Sequence, residues 1–236
     1  MIPAVHKRGT NVARLLGYLF GPGRHEEHED PRLVAAWNGA GDLADLEPPI
    51  RGDGRRNVRR LADLLNQPVR AALKPPALTV WHTSIRTHPT DRELSDQQWR
   101  HIAAEVMNAV GIAPHGDTRA VRWVAVRHAP DHIHLVTTLV RQDRRIAWAW
   151  QDKRNAQRVC RELEERYNLY RVAPPGQGSR AWATPGELNK ATRRHRATAG
   201  STGRSRRGSS YAGRYGPPPP LPPMRPTSST DWPVPE

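Results

Sequence analysis

Two strand-like runs meeting at a three-residue turn, Arg119 to Arg141 around Ala129-Pro130-Asp131, constrain this chain more than any other stretch. Strand side chains alternate between faces, so Val124, Val126 and His128 share one side of the first run, and His132, His134 and Val136 share one side of the second. An antiparallel hairpin closed by Ala129-Pro130-Asp131 sets His128 directly opposite His132, with Cβ atoms about 5 Å apart and His134 next on that face. Neutral imidazole is the commonest side-chain ligand of zinc, copper, nickel and iron, and it also accepts manganese. Three converging histidines leave coordination positions open for water or substrate, which points to catalysis more than to structure. The opposing reading is a hairpin with solvent-exposed histidines, and it suits one or two such residues better than three.

The rest of the chain supplies the frame. Ile2 to His6 reads as a short strand, and Thr10 is placed to cap a helix with the apolar stripe Val12, Leu15, Leu16 and Leu19, ended by Gly21-Pro22-Gly23. Residues 24 to 56 are mostly loop, with a short strand at Leu33 to Trp37, and the cluster from His25 to Asp30 reads as solvated. Asn57 to Asn66 fits a helix with Val58, Leu61, Leu64 and Leu65 inward, which Pro68 breaks or restarts. Leu78 to Arg86 is strand-like. Ser95 and Gln98 form a capping box before the stripe Trp99, Ile102, Ala103, Val106, Met107 and Val110, and Gly111 stops that helix.

After the hairpin, Ile146, Trp148 and Trp150 alternate with Ala147 and Ala149 as in a further strand. A last helix begins near Asp152 with the stripe Ala156, Val159, Cys160, Leu163, Tyr167 and Tyr170, which makes Cys160 a small buried apolar residue. This order predicts an α+β domain over residues 1–173, with a mainly antiparallel central sheet and flanking helices. Residues 174–236 turn to Gly, Ser, Arg and Pro, including Arg204, Arg206, Arg207 and the run Pro217 to Pro220. They read as a disordered basic tail or a polyproline segment, because such a composition cannot pack a core.

Lys and Arg together number 37 against 23 Asp and Glu, a net charge of +14, and only Lys7, Lys74, Lys153 and Lys190 are lysines. Arginine forks bind phosphate bidentately and stack on bases, so this balance suits nucleic acid ahead of a membrane surface, although GC-rich coding also inflates arginine. The single cysteine excludes an internal disulfide and any two-cysteine metal motif. No signal-like apolar core opens the chain and no window approaches about 18 apolar residues, so the expected setting is cytoplasmic, without membrane insertion.

Two segments carry a family resemblance. The run Lys7-Arg8-Gly9-Thr10-Asn11-Val12-Ala13-Arg14-Leu15-Leu16-Gly17-Tyr18-Leu19-Phe20 and the run His128-Ala129-Pro130-Asp131-His132-Ile133-His134 together resemble the relaxases, the MobA/VirD-like mobilisation nucleases among the HUH endonucleases. The first resembles the motif that carries the family's tyrosine nucleophile and the second its histidine motif, although the three residues between His128 and His132 are fewer than that pattern leads one to expect. With Trp81-His82-Thr83-Ser84 and the helix of Leu94 to Val110 between them, the likeness covers residues 1–172.

The resemblance implies a nickase and strand transferase that cuts one DNA strand at an origin of transfer and keeps it on Tyr18 as a 5′-phosphotyrosyl link. It also implies a divalent ion held by His128, His132 and His134, with magnesium or manganese favoured and zinc also compatible. Accessory mobilisation proteins and a coupling protein would be its partners. Two rival readings stand beside it: a non-catalytic DNA-binding accessory protein, and a metal-dependent phosphodiesterase that uses water.

Residue by residue, spacing adds the following. At 100° per residue Tyr18 lies about 110° from the centre of its helix's apolar stripe, which disfavours a core role. Asp131 can accept the second ring N–H of His132 or help deprotonate the tyrosine, or it is simply good turn chemistry. His82 and Ser84 share a strand face and can line the same cleft against DNA phosphate, or can sit half in solvent. Trp123, Trp148 and Trp150 can stack on bases, with core the expected place for at least two of them. Arg51, Arg55, Arg56, Arg59 and Arg60 form the densest basic stretch of the domain and are candidates for phosphate contact, or for a merely solvated helix face.

Overall fold

Ten elements follow one another: β1 (Ile2–Val5), α1 (Val12–Leu19), β2 (Arg32–Ala36), α2 (Leu43–Leu46), α3 (Arg59–Ala71), β3 (Val80–Arg86), α4 (Asp96–Ala109), β4 (Val121–Ala129), β5 (His132–Arg141) and α5 (Asp152–Arg166). They are seen in a computed structural model whose described residues are 1–22, 28 and 30–173. The tail expected at 174–236 lies outside the described residues, as do 25–27 and 29 of the acidic cluster.

The strands form one sheet in the order β1-β3-β5-β4-β2, with every neighbouring pair antiparallel. Helices flank it, so the architecture is the α+β fold that the order of elements predicts. β5 is the middle strand and is buried from His132 to Val140. Hydrogen bonds show which helices cover which face. Thr138, on the same face of β5 as His132 and His134, donates its hydroxyl to the Leu65 carbonyl of α3 at 2.7 Å. Trp81, paired with Thr137 and therefore on the other face, donates its indole N–H to Asp152 of α5 at 2.9 Å, and Arg127 reaches Asp96 of α4 at 2.5 Å. The histidine face thus belongs to α3 and its neighbour α1, and the opposite face to α4 and α5.

Local chemistry sets the helices. Ser95 and Gln98 form the capping box of α4, and Gly111 beyond its end takes φ +72°, where a Cβ would be strained. In α1 the cap is Asn11 rather than Thr10: the Asn11 side chain accepts the Arg14 N–H at 2.9 Å, while Val12, Leu16 and Leu19 are buried. α3 does not stop at Pro68 but runs through it to Ala71. Proline removes the N–H that the Leu64 carbonyl would accept, and the Arg122 guanidinium of β4 donates to that carbonyl at 2.9 Å instead.

The strand expected around Ile146 to Trp150 is reduced to a single bridge, Val140 with Ile146. β3 takes over the edge of β5 at Val80 and Thr138, so the returning segment loses its pairing partner just beyond Ala147. Trp148 and Trp150 are consequently exposed, and of the three tryptophans named above only Trp123 is in the core. Cys160 is buried, and burial pushes its thiol up to about 12, which fits an inert packing residue. Tyr167 is half-buried with its hydroxyl 2.8 Å from His101 Nδ1, whereas Tyr170 lies past the end of α5 and is exposed.

Candidate active site

The histidine face is built from three adjacent strands. His134 of β5 pairs with Ser84 of β3 on one side and Val126 of β4 on the other, and His132 pairs with Arg86 and Ala129. The register corrects the expected hairpin in one respect. His132 faces Ala129 rather than His128, the turn is only Pro130-Asp131, and Arg127 pairs with Ile133, so His128 is an extra residue in β4. Such a bulge re-aims one side chain without ending the ladder. The His128 ring comes to 4.6 Å from that of His132 and 4.7 Å from that of His134, and one ring nitrogen of each of the three lies within 4.8 Å of the others.

His132 Nδ1 lies 2.6 Å from one Asp131 oxygen and 3.1 Å from Arg86 Nη2, and the other Asp131 oxygen meets Arg86 Nε at 3.3 Å; with the proton on Nδ1, directed to the carboxylate, Nε2 keeps the lone pair. His134 Nδ1 lies 2.8 Å from His82 Nε2, and with the proton on His134 Nδ1 its Nε2 is the free ligand. His6 stacks on His82 at 4.2 Å with an interplanar angle of 12°, and its Nε2 lies 3.2 Å from the Ser84 hydroxyl. His6, His82 and His134 also bring nitrogens within 4.8 Å of one another. Their near-parallel rings, at 12° and 24°, place the lone pairs in parallel planes, so this second set reads as a hydrogen-bonded stack behind His134.

Among the described residues His128 has no such partner. It is 3% exposed, and both of its ring nitrogens are buried without a hydrogen bond. An unpaired buried polar group costs roughly 1–3 kcal/mol, so a residue carrying two of them calls for a ligand. Burial, then the neighbouring His132 and His28, pushes His128 down to about 3. Burial, then His6 and His128, does the same to His82, also to about 3, and burial with His82 and His128 holds His134 well below the ordinary range. All three are therefore neutral at pH 7, the form that coordinates metal. Burial opposes ionisation of Asp131, but the His132 hydrogen bond and Arg86 hold its carboxyl below the usual range. The donor set fits a divalent cation held by His128, His132 and His134.

Tyr18 approaches this cluster from α1. It is 43% exposed, off the buried stripe as its spacing predicts, and its ring meets the His28 ring edge-on at 5.0 Å. His28 in turn packs on His128 at 3.8 Å and donates Nδ1–H to the Gly21 carbonyl at 2.8 Å. The solvated-loop reading is therefore corrected at His28, which is half-buried and bridges the tyrosine and the histidine cluster.

The basic stretch divides. Arg51, Arg55 and Arg59 are exposed, whereas Arg56 turns inward to the carbonyls of Pro48 and Pro31 at 3.1 and 3.2 Å and pairs with Glu47. His82 and Ser84 share the site face, each engaged with another histidine. Three contributors were not among the site residues that the sequence pointed to. Arg86 was within reach of it, as the next residue after His82 and Ser84 in the alternation of β3. His6 joins through a strand edge and His28 through a loop, and neither leaves a periodic signal.

A tyrosine-bearing helix thus lies beside three gathered imidazoles on an antiparallel sheet, a donor set that could hold a metal ion. Residues 65–169 match the family model described as Relaxase: MobA/VirD2-like, nuclease domain. The match runs from α3 through α5 and includes His82 and all three candidate ligands, while Tyr18 and His28 precede it. Neither a curated protein nor a solved structure matches the chain. Among the described residues, no helix is long and apolar enough to cross a membrane.

Proposed function

We propose that this chain is a metal-dependent, site- and strand-specific DNA nickase and strand transferase, acting at an origin of transfer during conjugative mobilisation. The observation that carries the proposal is His128, buried with two unpartnered nitrogens between His132 and His134, with Tyr18 two ring contacts away through His28.

His128, His132 and His134 would hold a magnesium or manganese ion, which when bound draws charge from the phosphate's non-bridging oxygens. Asp131 holds His132 in the ligating tautomer, and His82 does so for His134. Tyr18 oxygen attacks phosphorus, the bond from phosphorus to the 3′ oxygen breaks, and the phenol's lost proton is balanced by the one gained at the departing 3′ hydroxyl. The covalent link conserves the phosphodiester energy for later rejoining. Arg86 pairs with Asp131 beside the cluster, and the exposed Arg51, Arg55 and Arg59 would be the phosphate contacts of the approach. Residues 1–173 form the nuclease domain and 174–236 a basic tail. The protein works in the cytoplasm on single-stranded DNA, with accessory mobilisation proteins and a coupling protein.

The test is to incubate labelled single-stranded oligonucleotides spanning candidate origins with the full chain and manganese or magnesium, then to resolve the products on a denaturing gel. A protein-linked band that vanishes in Tyr18→Phe, while DNA binding persists, supports the proposal. Cleaved product without attachment identifies water as the nucleophile, and binding with neither cleavage nor attachment identifies an accessory protein.

A further inference from the structure

The segment after β5 turns the ordinary burial pattern inside out. Ala147 and Ala149 face the fold and are buried, whereas Trp148 and Trp150 are 71% and 77% exposed. The backbone that carries them is held in place: Ala147 N–H donates to the Leu139 carbonyl at 3.0 Å, Trp150 N–H to the Trp148 carbonyl at 2.9 Å, and the Asn155 amide to the Trp150 carbonyl at 3.3 Å. An indole finds roughly 150–250 Å² of contact when it has a partner, and two left bare so close together mark a binding surface.

The charges around them specify the partner. Arg144, Arg145, Lys153 and Arg154 are exposed on either side of the tryptophans. The nearby acids are already engaged, Asp143 by Arg141 and Arg145, and Asp152 by the Trp81 indole. Lys153 and Arg154 have no ion pair among the described residues.

We propose that Trp148 and Trp150 form a base-stacking platform for single-stranded nucleic acid, with its phosphates running along Arg144, Lys153 and Arg154. Every base offers a π-face, so such a platform is indifferent to sequence and discriminates against duplex, whose bases are already stacked. Its position suits a strand that also visits the histidines: Leu139, which anchors Ala147, is five residues along β5 from His134, about 17 Å of strand. A single strand spans that distance in a few nucleotides. The inference rests on the proposed handling of single-stranded DNA and not on the nicking chemistry.

The test measures fluorescence anisotropy of a fluorescein-labelled single-stranded oligonucleotide, and of its duplex, against the full chain. The wild type is compared with the double variant Trp148→Ala/Trp150→Ala and with Trp148→Phe/Trp150→Phe. The expected result is about tenfold or greater weakening of single-strand binding in the alanine variant, recovery to within about threefold in the phenylalanine variant, and unchanged duplex binding. Equal single-strand affinity in the wild type and the alanine variant overturns the platform alone. An equal loss for duplex does the same, as does a change in self-association by sedimentation with DNA affinity intact. A wild type that binds no single strand overturns both this inference and the proposed function.

Discussion

The two ends of β5 break the burial rule in opposite directions. At its start His132 and His134, with His128 beside them, bury polar rings. Past its end Trp148 and Trp150 expose apolar ones. Neither arrangement is favourable for the isolated fold, since buried imidazoles lose hydration and exposed indoles forgo packing. The first is a small, closed cluster that asks for a cation; the second is an open surface with charges at its rim that asks for a polymer. Between them β5 is held by β3 and β4 and covered on both faces, so the ends are kept at a fixed separation.

The sharpest way to break this contrast is at the closed end. His134→Ala in the full chain is expected to slow metal-dependent nicking roughly a thousandfold, the loss of several kcal/mol of charge stabilisation, when initial rates are compared on an origin oligonucleotide. Retained activity would show that the buried rings are only structural. A smaller effect is expected one contact further out. Asp131→Asn should weaken metal affinity about 10–100-fold by releasing the His132 tautomer, with nicking restored by excess metal.

The same end should reveal a conflict between stability and function. His128→Leu removes two buried, unpartnered nitrogens, so the metal-free thermal midpoint should rise, by roughly 2–4 °C for each kcal/mol gained, while stabilisation by added metal disappears. A lower midpoint in calorimetry would mean that His128 has partners that the contacts described above do not include.

Acid sharpens the contrast further. His82 and His128 lie near about 3 in the fold against 6.5 for the free side chain, so between those values the unfolded chain holds more protons. The stability of the metal-free protein should therefore be complete above about pH 6.5 and decline progressively toward pH 3. A flat chemical-denaturation midpoint across that window would contradict the burial. The smallest effect belongs to the open end: Trp148→Ala/Trp150→Ala should change unfolding free energy by no more than about 0.5 kcal/mol, because exposed side chains lose little on truncation.

What the sequence made legible was whatever repeats along the chain. The capping box of α4, the stripe of α1 and the alternation of His132, His134 and Val136 all survive into the fold because period and burial agree. What stayed hidden depends on distant partners. The bulge at His128 adds a residue without disturbing the local alternation, and α3 passes Pro68 with a donor from Arg122 of β4 on the carbonyl that proline leaves unserved. Ile146 to Trp150 has the pattern of a strand, yet β3 already occupies the edge it would need. His28 enters the site through a loop, where no periodicity announces it.

The central claim is that the closed end of β5 grips one divalent cation. Titrating manganese into the full chain at pH 7.5, with the free ion followed by its paramagnetic resonance signal, tests it directly. One ion bound per chain, lost when His128, His132 or His134 is replaced by alanine and kept in Tyr18→Phe, is the predicted result. No binding by the wild type, or binding that survives all three histidine substitutions, would contradict it.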